Sequence, residues 1–317
     1  MQISETCEQF LAYCKTNKQL STLTLKAYRQ DLTTFQSLVR EQEISEFDKK
    51  QLQNYLHRLQ QTSLSVRTIK RRIACLKAMF RWLEREEFIQ TNPFHKADIS
   101  IKVPTQLPRN IPKSNLRKML RTARTNLNIC KHDSYNITTL SALIKTPKHL
   151  NQLTALLAIE LLFATGVRVS ELVNIDIKHI HLSEKKIKIF GKGQRERYVF
   201  IPSSEVVELI RAYLSLRNVT TAGHSLLLTN SRGKPASAHF IRKLIRETSH
   251  AAKLEKVTPH MYRHSAACQL LESGVDIRFV QRLLGHQSIL TTQLYTHVND
   301  NALQKQITKA NTRGGIF

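Results

Sequence analysis

Acidic side chains are scarce in this chain: 24 aspartates and glutamates stand against 49 lysines and arginines, leaving a formal charge of +25 spread along the whole length. A soluble protein so charged repels itself unless a polyanion neutralises it, which favours nucleic acid over small molecules as partner. A solvated basic surface of the ribosomal or membrane-binding kind stays open on charge alone. Cysteine is sparse and unclustered. Cys7, Cys14, Cys75, Cys130 and Cys268 form no CxxC pair and no Cys/His ligand set, so buried free thiols of a reducing compartment are expected. The opening MQISETCEQF has no basic-then-apolar signal pattern, and no apolar run reaches membrane-spanning length. The expectation is a cytoplasmic or nucleoid-associated protein with no membrane contact. No carboxylate cluster suited to magnesium and no GxxxxGK[ST] loop is present, so neither a metal nor a nucleotide cofactor is expected.

What is present divides into two parts, mainly α with a small β-sheet. From Glu5 to about Glu87 the pattern predicts four helices and no strand. In the second, Leu25, Tyr28, Leu32, Phe35 and Leu38 recur at helical spacing behind Thr22 as cap. The fourth sets Ile69, Ile73, Leu76, Phe80 and Leu83 on one stripe, with Arg67, Lys70, Arg71, Lys77 and Arg81 largely outside it. Such a face is suited to phosphates, or is simply solvated. Pro93, Pro104, Pro108 and Pro112 mark a linker. The domains expected are therefore residues 1–95, helical, a linker at 96–112, and a mixed domain at 113–317. That second domain opens with the helix SNLRKMLRTAR and carries a loop-rich insertion over residues 126–150. LTALLAIELLFATG, from Leu153, is apolar on nearly all sides and reads as a buried helix ended by Gly166. KKIKIF and YVFIP flank the turn GKGQRER and read as a hairpin, with LLLTN as a further edge strand. From Ser237 onward helices return, broken at Pro259, Gly274 and Gly285.

Six polar residues stand out in the second part: Arg168, Lys192, His260, Arg263, His286 and Tyr295. Singly, each has an ordinary explanation: Arg168 as a cap at its helix C-terminus, Lys192 as a turn residue, a histidine or tyrosine as a satisfied core side chain. Together they hold two guanidiniums, two imidazoles, an amine and a phenol, an inventory suited to a phosphodiester. In-line attack on phosphorus gathers charge on the non-bridging oxygens, which arginine forks match without a metal. His260 and Arg263, three apart at a helix start, project from one side toward a common target, and the helix N-terminus favours an anion there. Tyr295 suits a nucleophile whose phosphate ester can be reversed, though a phenol of pKa ~10 needs cationic neighbours and a base. Lys192 on a hairpin suits protonation of a departing oxygen.

Through ATGVRVSELVNI, GKGQRER, HMYRHSAACQLLESGVDIRFVQRLLGH and TTQLYTHV, the chain resembles the tyrosine recombinases, the phage-integrase and Xer-like family, over most of residues 153–298. Arg168, Lys192, His260, Arg263, His286 and Tyr295 all fall on the family's catalytic pattern, with His264 beside Arg263 read as structural. The resemblance implies a helical SAM-like core-binding domain and an α+β catalytic domain clamping double-stranded DNA at a specific site. It also implies a 3′-phosphotyrosyl intermediate, a Holliday junction, no metal or nucleotide, and a homotetramer or a heterotetramer with a second recombinase. Residues 299–317 would dock on a neighbouring protomer. The insertion at 126–150 departs from compact Xer-like members, and a helical domain starting almost at residue 1 leaves no room for a lambda-type arm-binding domain. A simple-site recombinase serving a mobile element or chromosome-dimer resolution is expected. The alternatives are an idle DNA-binding protein of the same fold and a type IB topoisomerase.

Overall fold

The computed structural model describes residues 1–95, 97, 99–101, 109–130, 135–144, 146–191, 195–218 and 223–285. It forms two compact units, Met1–Gln106 and Leu107–Phe317.

The first unit is helical: α1 (Ile3–Thr16), α2 (Thr22–Leu38), α3 (Lys49–Gln60) and α4 (Val66–Arg85), with a 3-10 turn at Ile44–Glu46. Side-chain oxygens at the helix starts take up backbone N–H groups that have no partner inside the helix. Asp48 and Gln51 form a reciprocal capping box on α3, and Ser65 accepts from the Thr68 N–H at the start of α4. On α2 the cap is Ser21 rather than Thr22, which is itself the first helical residue. The expected stripe of α4 is buried; its Phe80 meets the Phe47 ring, and Phe35 in turn meets Phe47 and Tyr55 edge to face. One carboxylate enters this core: Asp31 takes a 2.6 Å ion pair from Arg71, with Arg72 at 3.7 Å. Burial still wins there over the two cations and raises the Asp31 pKa. Part of the stretch read as linker lies on this unit, with Ala97, Ile99 and Ile101 packed against its core. Asn92 is buried, its N–H donates to Glu84, and Phe94 packs on Phe80.

The second unit is built around α7 (Pro147–Thr165), with α5 (Lys113–Thr125), α9 (Ser204–Asn218), α10 (Ala238–Ala251) and α11 (Pro259–Glu272) packed on it. Helix α7 begins earlier than Leu153, because Thr146 caps it and Pro147 supplies a preset φ in its first turn. Its apolar side chains are buried on nearly every face, and Gly166 ends it in the left-handed region at φ +63°. The one polar residue deep in its middle, Thr154, is satisfied by Tyr213 Oη at 2.9 Å and the Thr229 carbonyl at 3.0 Å. The stretch expected to be loop-rich holds a helix, α6 (Ile137–Leu143), started by Asn136, which accepts from the Thr139 N–H. Its polar interruptions are cap and solvent-facing positions, which is why no apolar period showed.

A three-stranded antiparallel sheet follows the short α8 (Val169–Leu172), in the order β1 (Ile180–His181), β2 (Lys186–Phe190), β3 (Glu196–Phe200). Ile187 pairs with Val199 and Ile189 with Arg197, and the isoleucines and Val199 face the core. Phe190, Tyr198 and Phe200 stand on the exposed side. The edge strand is β1, not LLLTN, which makes only isolated bridges, Asp176 with Leu226 and Thr229 with Pro235. Helices α10, α11 and α12 (Ile277–Leu284) complete the unit. Among the described residues no helix is long and apolar enough to cross a membrane. Cys7, Cys14 and Cys75 are buried free thiols as expected, whereas Cys130 is exposed and Cys268 half-buried.

Candidate active site

Two helix C-termini meet at the centre of the site. Gly166 closes α7 and Gly285 closes α12, both in the left-handed region that glycine tolerates best, at φ +63° and +65°. A Cβ on Gly166 would lie 2.9 Å from Leu284 Cδ2, so any other residue there would force Leu284 to shift. Last-turn carbonyls carry the negative end of a helix dipole and need donors. Arg263, buried on α11, supplies them to both: Nη1 donates to the Gly166 carbonyl at 2.8 Å and Nη2 to the Leu284 carbonyl at 2.6 Å. Arg263 thus locks the chain entering residue 168 to the chain leading into residue 286.

Arg168 sits two residues past Gly166, at the N-cap of α8. It does not cap α7; Gly166 does. Its N–H donates to Glu171 Oε2 at 2.8 Å and its Nη1 to Glu171 Oε1 at 2.9 Å, while 37% of the side chain stays open to solvent. Glu171 is buried, and burial by itself would raise its pKa. The opposing bonds from Arg197 and the Arg168 N–H, with the charges of both arginines, outweigh that and hold it below the ordinary carboxylate value.

His260 lies in the first turn of α11, after the N-cap Thr258 and Pro259. The residue is exposed overall, yet partial burial, then the cations Arg263, Arg242 and Arg168, depress its pKa below 6.5. The neutral imidazole is therefore favoured near pH 7, with a nitrogen free of a proton. Arg263 and Arg168 both act electrostatically on His260, so the three sequence-nominated residues lie in one neighbourhood. His264, read as structural, is buried with its ring about 3.8 Å from Cys268 Sγ. Lys192, His286 and Tyr295 lie outside the described residues.

Sequence reasoning missed Glu171, Arg197 and Arg242. Arg197 was legible in principle, because it occupies an inward-facing register of β3, opposite Ile189, where an apolar residue is expected. An open cleft adjoins these residues, and its charged lining is Arg168, Arg195, Arg197 and Arg282 against Glu171 and Glu196, a net basic balance.

Comparison with known proteins agrees with this geometry. Residues 135–302 match the phage integrase family, and residues 7–87 match the phage integrase N-terminal SAM-like domain. A tyrosine recombinase of Agathobacter rectalis is 33% identical over 94% of this chain and 92% of its own. Tyrosine recombinase XerD of Staphylococcus aureus is 32% identical over 96% of this chain and 98% of its own. A crystal structure of XerH site-specific recombinase bound to a palindromic difH substrate, a post-cleavage complex, shares the fold at TM-score 0.70 and 22% identity, over 95% of this chain and 84% of that one. A buried arginine joining two helix ends, a second arginine on a buried glutamate and a histidine of lowered pKa near them thus sit in a chain that belongs to the phage integrase family, the tyrosine recombinases.

Proposed function

We propose that this enzyme cuts and rejoins double-stranded DNA at a specific site, with Arg168, Lys192, His260, Arg263, His286 and Tyr295 as its catalytic residues. The observation that carries the reading is the buried Arg263 fork, which ties the Gly166 carbonyl, two residues before Arg168, to the Leu284 carbonyl, with His260 one turn earlier on α11. In this mechanism the Tyr295 oxygen attacks the scissile phosphorus while its proton passes to a base, the role suited to neutral His260. A 3′-phosphotyrosyl ester forms, the P–O5′ bond breaks, and the 5′-oxygen leaves with a proton from Lys192. Arg168 and Arg263, with His286, offset charge growing on the non-bridging oxygens. A 5′-hydroxyl of a partner duplex then attacks the same phosphorus and the phenol regains its proton. The ester keeps the bond energy, so no nucleotide is consumed.

Residues 1–95 would act as the core-binding domain and 113–317 as the catalytic domain, working as a homotetramer, or a heterotetramer with a second recombinase, in the cytoplasm. Tetrameric assembly on a junction fits the family: a lambda integrase tetramer bound to a Holliday junction shares this fold at TM-score 0.70 and 15% identity. Exposed Arg67, Lys70 and Arg81 on α4 supply a face for phosphates, Arg71 being paired with Asp31. Residues 299–317 would reach a neighbouring protomer, and their deletion should weaken synapsis. The test is a nicked suicide duplex carrying repeats found beside the gene. Wild type should form a covalent adduct that Tyr295→Phe does not. Binding without an adduct would identify a DNA-binding protein instead, and relaxation of plasmids with no specific site would identify a topoisomerase.

A further inference from the structure

We propose that Arg197 is a positioning residue for strand cleavage: it shares the Glu171 carboxylate with Arg168 and holds the Leu283 carbonyl, joining three parts of the site in one frame. The assignment rests on the catalytic roles proposed above. Arg197 Nη1 donates to Glu171 Oε1 at 3.0 Å, Nη2 to Glu171 Oε2 at 2.8 Å, and Nε to the Leu283 carbonyl at 2.7 Å. Its side chain is only 10% exposed. Burying an ion pair is a poor source of stability, and an apolar residue in this inward register would pack at least as well. What the guanidinium adds is geometry.

The elements it joins are those that carry the chemistry. Arg197 lies on β3, five residues after Lys192; Leu283 lies three residues before His286; and Glu171 holds the main chain and side chain of Arg168. Gly285 lies tightly against it, and Gly191 within van der Waals reach. A Cβ on Gly285 would come within 3.2 Å of Arg197 Nη1, and one on Gly191 would lie 3.7 Å from the same nitrogen and 3.8 Å from Glu171 Oε1. There is also an electrostatic consequence. With Arg197 in place the Glu171 carboxylate is shared by two guanidiniums, which leaves Arg168 with N–H groups for a phosphate. Without Arg197 the full carboxylate charge falls on Arg168 and draws it away from the DNA.

The test compares single-turnover cleavage of a nicked duplex carrying either an ordinary scissile phosphodiester or a methylphosphonate, whose missing non-bridging charge lessens the demand on Arg168. Arg197→Met should cleave the ordinary site about 10- to 100-fold more slowly than wild type, the scale of a misplaced catalytic group, with DNA affinity unchanged. On the methylphosphonate the deficit should shrink to about threefold, since Arg168 then matters less. Arg197→Lys, which keeps the charge but not the fork, should follow the same pattern and serves if Arg197→Met folds poorly. Adding Glu171→Gln to Arg197→Met should recover part of the rate. An equal deficit on both substrates, or a wild-type rate in both variants, would overturn the proposal. Absence of any Tyr295-dependent adduct with wild type would overturn the catalytic reading itself and this assignment with it.

Discussion

Replacing Gly166 with alanine probes the packing on which the site is built. Gly166 holds φ +63°, and an L-residue there costs about 1–2 kcal/mol. The new methyl would also lie 2.9 Å from Leu284 Cδ2 and 3.6 Å from Ala266 Cβ. Leu284 is fully buried and has no solvent to retreat into, so overpacking adds about 1–3 kcal/mol. The stiffer unfolded chain returns about 0.4–1 kcal/mol, leaving a net loss of about 1–5 kcal/mol, centred on ~3. Gly223 is the internal control: φ is +90°, and a Cβ there meets nothing within 4 Å, so Gly223→Ala pays only the backbone cost. Followed by circular dichroism on heating, Gly166→Ala should lower the melting temperature of the catalytic unit by about 5–12 °C. The control should shift it by less than about 5 °C. Equal shifts for the two variants would refute the close meeting of α7 and α12, and with it the part played by Arg263 in joining them.

Other outcomes follow from single groups. Burial first, then the charge of Glu205, raises the Glu160 pKa to about 7, so the folded state holds its proton more tightly than the unfolded one. Stability is therefore lost as pH rises from about 4.5 to 7, by about 2–3 kcal/mol, and Glu160→Gln should be more stable than wild type at pH 8 but not at pH 4.5, as urea unfolding at each pH will report. The acid limb of the cleavage rate should lie below pH 6.5 if His260 accepts the tyrosine proton, and Arg242→Gln, by removing a neighbouring cation, should move that limb upward in a pH–rate profile. Asp31→Ala leaves Arg72, itself buried, without its counter-charge, and should cost the first unit about 3–5 kcal/mol in chemical denaturation. DNA affinity should fall steeply and linearly on a log–log plot against salt, and a shallow slope in a fluorescence titration would contradict binding through phosphates.

How far the sequence alone could lead depends on what kind of signal each feature leaves. Helix α4 was legible because five large apolar residues at helical spacing admit one packed face, and α7 because Gly166 follows a run apolar all round. Helix α6 was hidden: seven residues with one fully buried leucine leave no period to detect. Strand β1 is two residues long and owes its pairing to β2 rather than to its own composition. Arg168, His260 and Arg263 could be nominated as types suited to phosphate chemistry, but not their division of labour. That Arg263 spends two N–H groups on helix-end carbonyls, while Arg168 is held by a glutamate three residues on, is a matter of three-dimensional approach. Glu171 looked like an ordinary first-turn acid in a basic chain, and only its enclosure between two guanidiniums sets it apart.

The central claim is that Tyr295 becomes covalently joined to DNA. The direct measurement is mass spectrometry of the protease-digested adduct trapped on a nicked duplex bearing the recombination site. The account predicts a 3′-phosphonucleotide on the peptide containing Tyr295, and no adduct with Tyr295→Phe although that variant still binds the duplex. An adduct on any other residue, or one that survives Tyr295→Phe, would contradict it.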